Sequence, residues 1–386
     1  MPGQARRKTM DPRKPGMFHI TSNCVRGAFL CGMDSRSGKD YSHRREFLKI
    51  QIAYLAEHFA IAVGWEGIMS NHLHLVLANL PNKVDTWSDA EVLRRVSKIF
   101  RYKFKQLGVR DGEPTDEQVE EFSRDSEFMR EMRSRLSDPS WFMRQLLQKL
   151  AVMSNREDDC RGHFVDRPFK HRVITDERGI LICGIYVDLN EIAAMEVDRP
   201  ELSMNTSAGM RIAGKLLREQ GRHSDAQRHD GHLLPINRQG DDQDYPAAGT
   251  PGARRVQDEG LLDIKLDKYL EMLDAYGREL RPGKRGKIPS DLPSILERLN
   301  LNRESLLHMV QNYDKLYPNA VGSAASLAQL SDSHGGMWSG QAAAVLEVEQ
   351  AFAEQAEQQP NQSLKKASKR AKSRSTRVRR AKKKRK

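Results

Sequence analysis

Residues 72–80 read HLHLVLANL and stop at Pro81, and no other stretch constrains the fold of this chain as tightly. A strand turns successive side chains to opposite faces, so Leu73, Leu75 and Leu77 share one side while His72, His74, Val76 and Ala78 share the other. The leucines can face a core. The two imidazoles then stand side by side on the remaining face, where neutral ring nitrogens could hold one divalent cation. A pair of half-exposed strand histidines without a ligand is the plain alternative, and an H-x-H motif alone does not decide between them.

Around this strand the pattern predicts an α+β domain. MFHITSNC, Met17 to Cys24, reads as a first strand, and about Ser42 to Phe59 as a helix. AIAVGWEGIMS is a further strand candidate that can pair with 72–80 as a hairpin, with Asn71 turning the chain. SDAEVLRRVSKIFRYKFKQLG places Ser88 as an N-cap with Glu91 at capping-box spacing and closes at Gly108, which predicts one continuous helix. Residues 109–139 are dense in charge and read as an insertion. A helix is expected around WFMRQLLQKLAVMSN, then a strand in GHFVDRPFKHRVIT, then a helix from Thr175 to about Met195.

After Pro200 the composition turns polar and rich in Gly, Pro and Asp, and residues 201–260 read as a linker. Helical spacing returns with Leu266, Tyr269, Leu270, Leu273 and Tyr276, so residues 261–358 are expected to form a small, mainly helical accessory domain. Within it RPGKRGKIP, which contains Arg281, Lys284 and Arg285, is either an exposed loop or a phosphate contact. Residues 1–16 read as a flexible basic arm.

The formal net charge of +12 is concentrated at one end. Fourteen Lys and Arg and no Asp or Glu fall between Leu364 and Lys386, so the rest of the chain stands at −2. Residues 359–386 are therefore expected to be a disordered basic tail, available to nucleic-acid phosphates or simply solubilising. Four cysteines, Cys24, Cys31, Cys160 and Cys183, form no C-x-x-C pair or even framework, which points to a reducing cytoplasm rather than a secreted disulfide scaffold. No run of about eighteen apolar residues suggests a membrane span.

GIYVDLNEIAA supplies what the histidine pair lacks. On a helix Tyr186 and Asn190 are four residues apart and project from one face, beside a buried stripe of Ile182, Ile185, Leu189 and Ile192. An amphipathic helix whose tyrosine merely edges the core is the alternative.

Three segments, FHITSNCVRGAFLCG, GIMSNHLHLVL and FVDRPFKHRVITDERGILICGIYVDLNEIAA, in this order and spacing, resemble the single-tyrosine transposases of the HUH superfamily, especially the REP-associated tyrosine transposases. The resemblance covers about residues 17–197. It implies a ferredoxin-like antiparallel sheet with helices, binding to a DNA hairpin, and cleavage and rejoining of single-stranded DNA through a covalent phosphotyrosine. By the same resemblance His72, His74 and Asn190 would be ligands of Mg²⁺ or Mn²⁺, Tyr186 the nucleophile, and Lys170 and Arg172 DNA contacts; a homodimer and a bacterial, nucleoid-associated location would fit. Glu191 and Ser70 stand where that family often has proline, and DRPFK replaces a more usual Gly-Arg-Phe-Lys order. A DNA-binding regulator without catalysis and an unrelated zinc hydrolase built on the H-x-H pair are the competing readings.

Overall fold

In the computed structural model, which describes residues 8–25, 31–34, 37–166, 168–240, 245–279, 296, 299 and 301–355, five strands make one mixed sheet. They are β1 (Gly16–Asn23), β2 (Ile61–Ile68), β3 (His72–Asn79), β4 (Lys170–Ile174) and β5 (Ala320–Val321), side by side in the order β2-β3-β1-β4-β5. β3 lies antiparallel between β2 and β1, and β4 runs antiparallel to the other edge of β1; only the short β4–β5 pair is parallel. The first two strands, joined by α1 (His43–His58), are thus parallel to each other with β3 inserted between them, a split β-α-β connection. The overall class is α+β, as the alternation of strand and helix signals implied.

Register decides which side chains meet. Thr21 of β1 stands opposite both His74 of β3 and Lys170 of β4, and His19 stands opposite Val76 and Arg172. Directly opposed residues share a face, so His19, Thr21, His72, His74, Lys170 and Arg172 all lie on one side of the sheet. On the other side Phe18 and Ile20 face Leu77 and Leu75. There α1, α2 (Asp89–Ile99), α3 (Ser126–Leu136) and α4 (Pro139–Glu157) bury Leu48, Ile52, Val92, Val96, Met132, Leu136, Phe142 and Leu146 against the strand leucines.

The histidine side is covered as well. α5 (Glu177–Asp188) lies across it and shares a core with Trp65, Val76 and Ala78; α6 (Ser207–Glu219) follows. α7 (Leu266–Glu279), α8 (Arg303–Gln311) and the turn Tyr313–Leu316 join the same core, contributing Tyr269, Leu273, Tyr276, Met309, Tyr313 and Tyr317. α9 (Ala324–Ser333) adds Leu327.

Several expectations change. The helix read from Ser88 to Gly108 begins as expected, with the Ser88 hydroxyl accepting from the Glu91 amide at 3.2 Å. It breaks at Phe100 (φ −105°, ψ 44°), and a second segment Arg101–Gln106 follows. The break lets both Phe100 and Phe104 reach the core. The charged stretch 109–139 folds as helices Asp116–Arg124 and Ser126–Leu136, the latter buried through Met129, Met132 and Leu136.

The described residues of 201–260 are folded rather than a linker. α6 and the helix His223–Asp230 occupy their first half, and the apolar LLPI at 233–236 enters the core while the Leu234 amide donates to the Val63 carbonyl at 2.8 Å. Their polar composition misleads because charge is paired inside: Asp230, buried, accepts from Arg218 at 3.0 Å and from the Tyr245 hydroxyl. The helices beyond 261 share a core with the sheet rather than standing apart from it.

The described part of the arm, from Lys8 onward, is tied down. Met10 is buried, Thr9 hydrogen-bonds His171 at 2.8 Å, and Asn79 donates to the Lys14 carbonyl at 3.0 Å. Arg281, Lys284, Arg285 and the basic tail lie outside the described residues. None of the four cysteines is in a disulfide. No helix among the described residues is long and apolar enough to cross a membrane.

A candidate active site on the histidine face

α5 brings Tyr186 to the strand histidines because its first turn is anchored at two points. Asp176, rather than Thr175, caps it by accepting from the Gly179 amide at 2.8 Å, and the same carboxylate takes the hydroxyls of Ser323 (2.6 Å) and Ser326 (2.7 Å). Two glycines allow the close approach: a Cβ on Gly179 would meet the Val321 carbonyl at 2.4 Å, and one on Gly184 would meet the Trp65 ring at 2.5 Å. The helix ends at Asp188 rather than continuing to Met195, and Asn190 opens a separate turn, Asn190–Ala193. Asp188 is fixed by the Ala208 amide at 2.8 Å and the Tyr269 hydroxyl at 2.7 Å. The expected stripe of Ile182, Ile185, Leu189 and Ile192 is buried.

The residues singled out in the sequence converge. The rings of His72 and His74 are 4.7 Å apart, and the Tyr186 ring stands edge-on to His74 at 5.6 Å. The Asn190 amide nitrogen lies 3.3 Å from His74 Nε2, and the same side chain stands close enough to His72 and Tyr186 to influence their titration. Arg172 reaches this centre from β4 and pairs with Asp314 at 2.6 Å. Lys170 sits on the same face, exposed, at the start of the strand.

Three partners escaped the sequence reading. His19 Nε2 lies 2.9 Å from His74 Nδ1, and His19 Nδ1 lies 2.9 Å from the Tyr313 hydroxyl, which donates to Cys183 Sγ at 3.2 Å. The Tyr313 ring stacks on Tyr186 (4.0 Å between centroids, 13° between planes). Asp314 Oδ2 accepts from the Tyr186 hydroxyl at 3.3 Å. His19 is placed on the histidine face only by the pairing of β1 with β3; Tyr313 and Asp314 carry no local signal.

One assignment of protons satisfies the whole chain of contacts. If Tyr313 donates to Cys183, it accepts from His19 Nδ1; His19 Nε2 then accepts from His74 Nδ1, and His74 Nε2 keeps its lone pair toward Asn190. His72 Nδ1 lies 2.6 Å from Asn71 Oδ1, so its proton is committed there and Nε2 is left as an acceptor. Burial holds the pKa of His72 below the ordinary imidazole value and those of His19 and His74 well below it, so the rings are neutral at pH 7. Burial, and then the charge of Asp314, raise the Tyr186 phenol well above its usual value.

Two neutral imidazoles that keep their Nε2 lone pairs, together with the Asn190 carboxamide beside them, fit a divalent cation. Each imidazole has its other nitrogen engaged, the arrangement that orients metal-binding histidines. Among the described residues no group of three or more His, Cys, Asp or Glu side chains is placed to hold a metal; if His72 and His74 hold one, the Asn190 amide is the side chain beside them that would supply a third ligand.

Two of the departures noted in the sequence are joined here. Glu191, buried, accepts from Ser203 (2.7 Å), Asn205 (2.8 Å) and Arg45 (3.4 Å), and Arg45 also donates to Ser70. Ser70 in turn donates to Glu196 at 2.9 Å. Where proline would stiffen each loop, this chain ties the histidine strand and the Asn190 turn together through one guanidinium. No family model, curated protein or solved structure matches the chain.

Proposed function

We propose that this protein is a metal-dependent single-strand DNA endonuclease and strand transferase of the HUH type, acting through a covalent phosphotyrosine on Tyr186. The observation that carries the reading is the convergence of His72, His74, Asn190 and Tyr186, from segments more than a hundred residues apart, within one hydrogen-bonded centre. The strand order of β1 to β4 and the split β-α-β connection are compatible with a ferredoxin-like sheet and support the same reading.

Tyr186 offers its phenolic oxygen as nucleophile. Attack on a phosphodiester forms a bond between that oxygen and phosphorus and expels a deoxyribose oxygen, and the phosphotyrosine conserves the energy of the broken bond. A second strand end can then displace the tyrosine, which rejoins DNA without a nucleotide cofactor. A Mg²⁺ or Mn²⁺ ion held by His72, His74 and Asn190 would supply stabilisation of the negative charge that grows on the phosphoryl oxygens. Arg172, 14 % exposed and 2.6 Å from Asp314, adds positive charge beside the nucleophile. Lys170, on the same face, extends that charge toward the end of the sheet where DNA would enter.

A nicking assay tests the assignment. With hairpin-flanked single-stranded DNA and Mn²⁺, wild-type protein should form a covalent adduct that disappears in Tyr186→Phe. Full activity of the phenylalanine variant refutes it, and salt-sensitive DNA binding with no adduct in wild type would favour a regulator instead.

A further inference from the structure

We propose that Asp314, in the region beyond residue 261, is the catalytic base that takes the phenolic proton from Tyr186. The inference rests on Tyr186 being the nucleophile and names the group that activates it.

The geometry is specific. The Tyr186 hydroxyl donates to Asp314 Oδ2 at 3.3 Å, while Arg172 Nη2 holds the other carboxylate oxygen, Oδ1, at 2.6 Å. One oxygen is thereby fixed by a cation and the second is turned to the phenol. The backbone beneath is fixed too: Tyr313, the preceding residue, is buried, stacks on the Tyr186 ring and anchors its own hydroxyl to His19.

The other basic groups nearby have other roles, since the Nε2 atoms of His72 and His74 are the ones offered to the cation. His74 has Nδ1 on His19 and Nε2 on Asn190; His19 has its second nitrogen on Tyr313; His72 has Nδ1 on Asn71 and a contact to Asn190. A half-buried phenol is a poor nucleophile while it keeps its proton, and a general base within hydrogen-bond reach removes that obstacle. The Asp314 side chain is 70 % exposed, so a proton taken from the phenol can pass on to water.

The step balances as follows. As the Tyr186 oxygen bonds to phosphorus, its proton moves to Asp314 Oδ2. The bond from phosphorus to the departing deoxyribose oxygen breaks with its electron pair on that oxygen, which is protonated by water. In the rejoining step the incoming strand's hydroxyl oxygen bonds to phosphorus and gives its proton to water; the bond from phosphorus to the Tyr186 oxygen breaks with its electron pair on that oxygen, and Asp314, reprotonated from water, returns a proton to it.

Single-turnover adduct formation with hairpin-flanked single-stranded DNA and Mn²⁺ tests this. Asp314→Ala should slow adduct formation by about 10²–10⁴-fold, the usual contribution of a general base. Added formate should restore part of the rate, because a small carboxylate can enter the space opened beside Tyr186. Asp314→Asn should be equally slow and unrestored, since the amide fills the space without accepting a proton. A wild-type rate in either variant, or a loss in Asp314→Ala that formate leaves unchanged, overturns the proposal. No adduct in wild type, or one that persists in Tyr186→Phe, overturns the nucleophile assignment and the base with it, and is told apart because it does not depend on Asp314.

Discussion

The leucine face and the histidine face of this sheet are made from alternate residues of the same strands, yet they differ in how they are assembled. Leu73, Leu75 and Leu77 meet Phe18, Ile20 and helices drawn mostly from residues 43–157, and the cluster is almost wholly apolar. His72, His74 and His19 meet Arg172, Cys183, Tyr186, Asn190, Tyr313 and Asp314, polar groups spread over nearly three hundred residues of chain. The first face stabilises by burial and tolerates any side chain of the right shape. On the second, each buried polar atom must find a partner, so position and proton direction are specified as well as volume. That contrast implies that substitutions on one face should cost stability and on the other should cost binding and chemistry.

The largest effect expected from breaking the contrast is on the leucine side. Leu75→Ala should lower unfolding free energy by about 2–5 kcal/mol, as for other fully buried leucines, with Mn²⁺ affinity of the folded fraction unchanged. Chemical denaturation and metal titration of one sample check both halves. If affinity falls in step with stability, the two faces are not separate in function.

A smaller effect is expected at His19, which touches no substrate and orients His74. His19→Leu should weaken Mn²⁺ binding by about 10–100-fold, the usual range for a group hydrogen-bonded to a metal-binding histidine. His19→Gln should retain most of the affinity, because its amide oxygen can still accept from His74 Nδ1. Equal losses in both variants would show that volume, not proton direction, is what His19 provides.

The smallest effect is at Asp176, which holds the first turn of α5 to Ser323 and Ser326. Asp176→Ala should cost about 1 kcal/mol, typical of a lost N-cap. Hydrogen bonds from Ser323, Ser326 and the Ser323 and Gly179 amides outweigh the effect of burial and hold the carboxyl below its ordinary 3.8. A depressed acid stabilises the fold above its unfolded value and loses that contribution as pH falls through the folded one. The stability difference between wild type and Asp176→Ala should therefore be constant near neutrality and shrink below about pH 4. A difference that persists undiminished into strong acid would contradict the role given to this carboxylate.

The two faces also explain what the sequence made legible. Alternation in 72–80 was enough to separate leucines from histidines, because it depends on neighbours within one strand, and the four-residue spacing kept Tyr186 and Asn190 close even though the helix ends at Asp188 between them. His19 needed the pairing of β1 with β3. Tyr313 and Asp314 needed the whole fold, since nothing in YDKL marks a turn that will stack on a helix more than a hundred residues earlier. The linker expectation failed for a related reason: 223–255 is polar, but Asp230, His232 and Arg255 are buried with partners, and pairing of this kind leaves no periodic trace.

The central claim is that Tyr186 becomes covalently joined to DNA at the histidine face. Incubation with a hairpin-flanked single strand and Mn²⁺, proteolysis, and mass spectrometry of the nucleotide-bearing peptide test it directly. The account expects one modified peptide, spanning Gly179 to Asn190, with the added mass on Tyr186 and none when EDTA replaces the metal. An adduct on another residue, or cleaved DNA with no adduct at all, would contradict it.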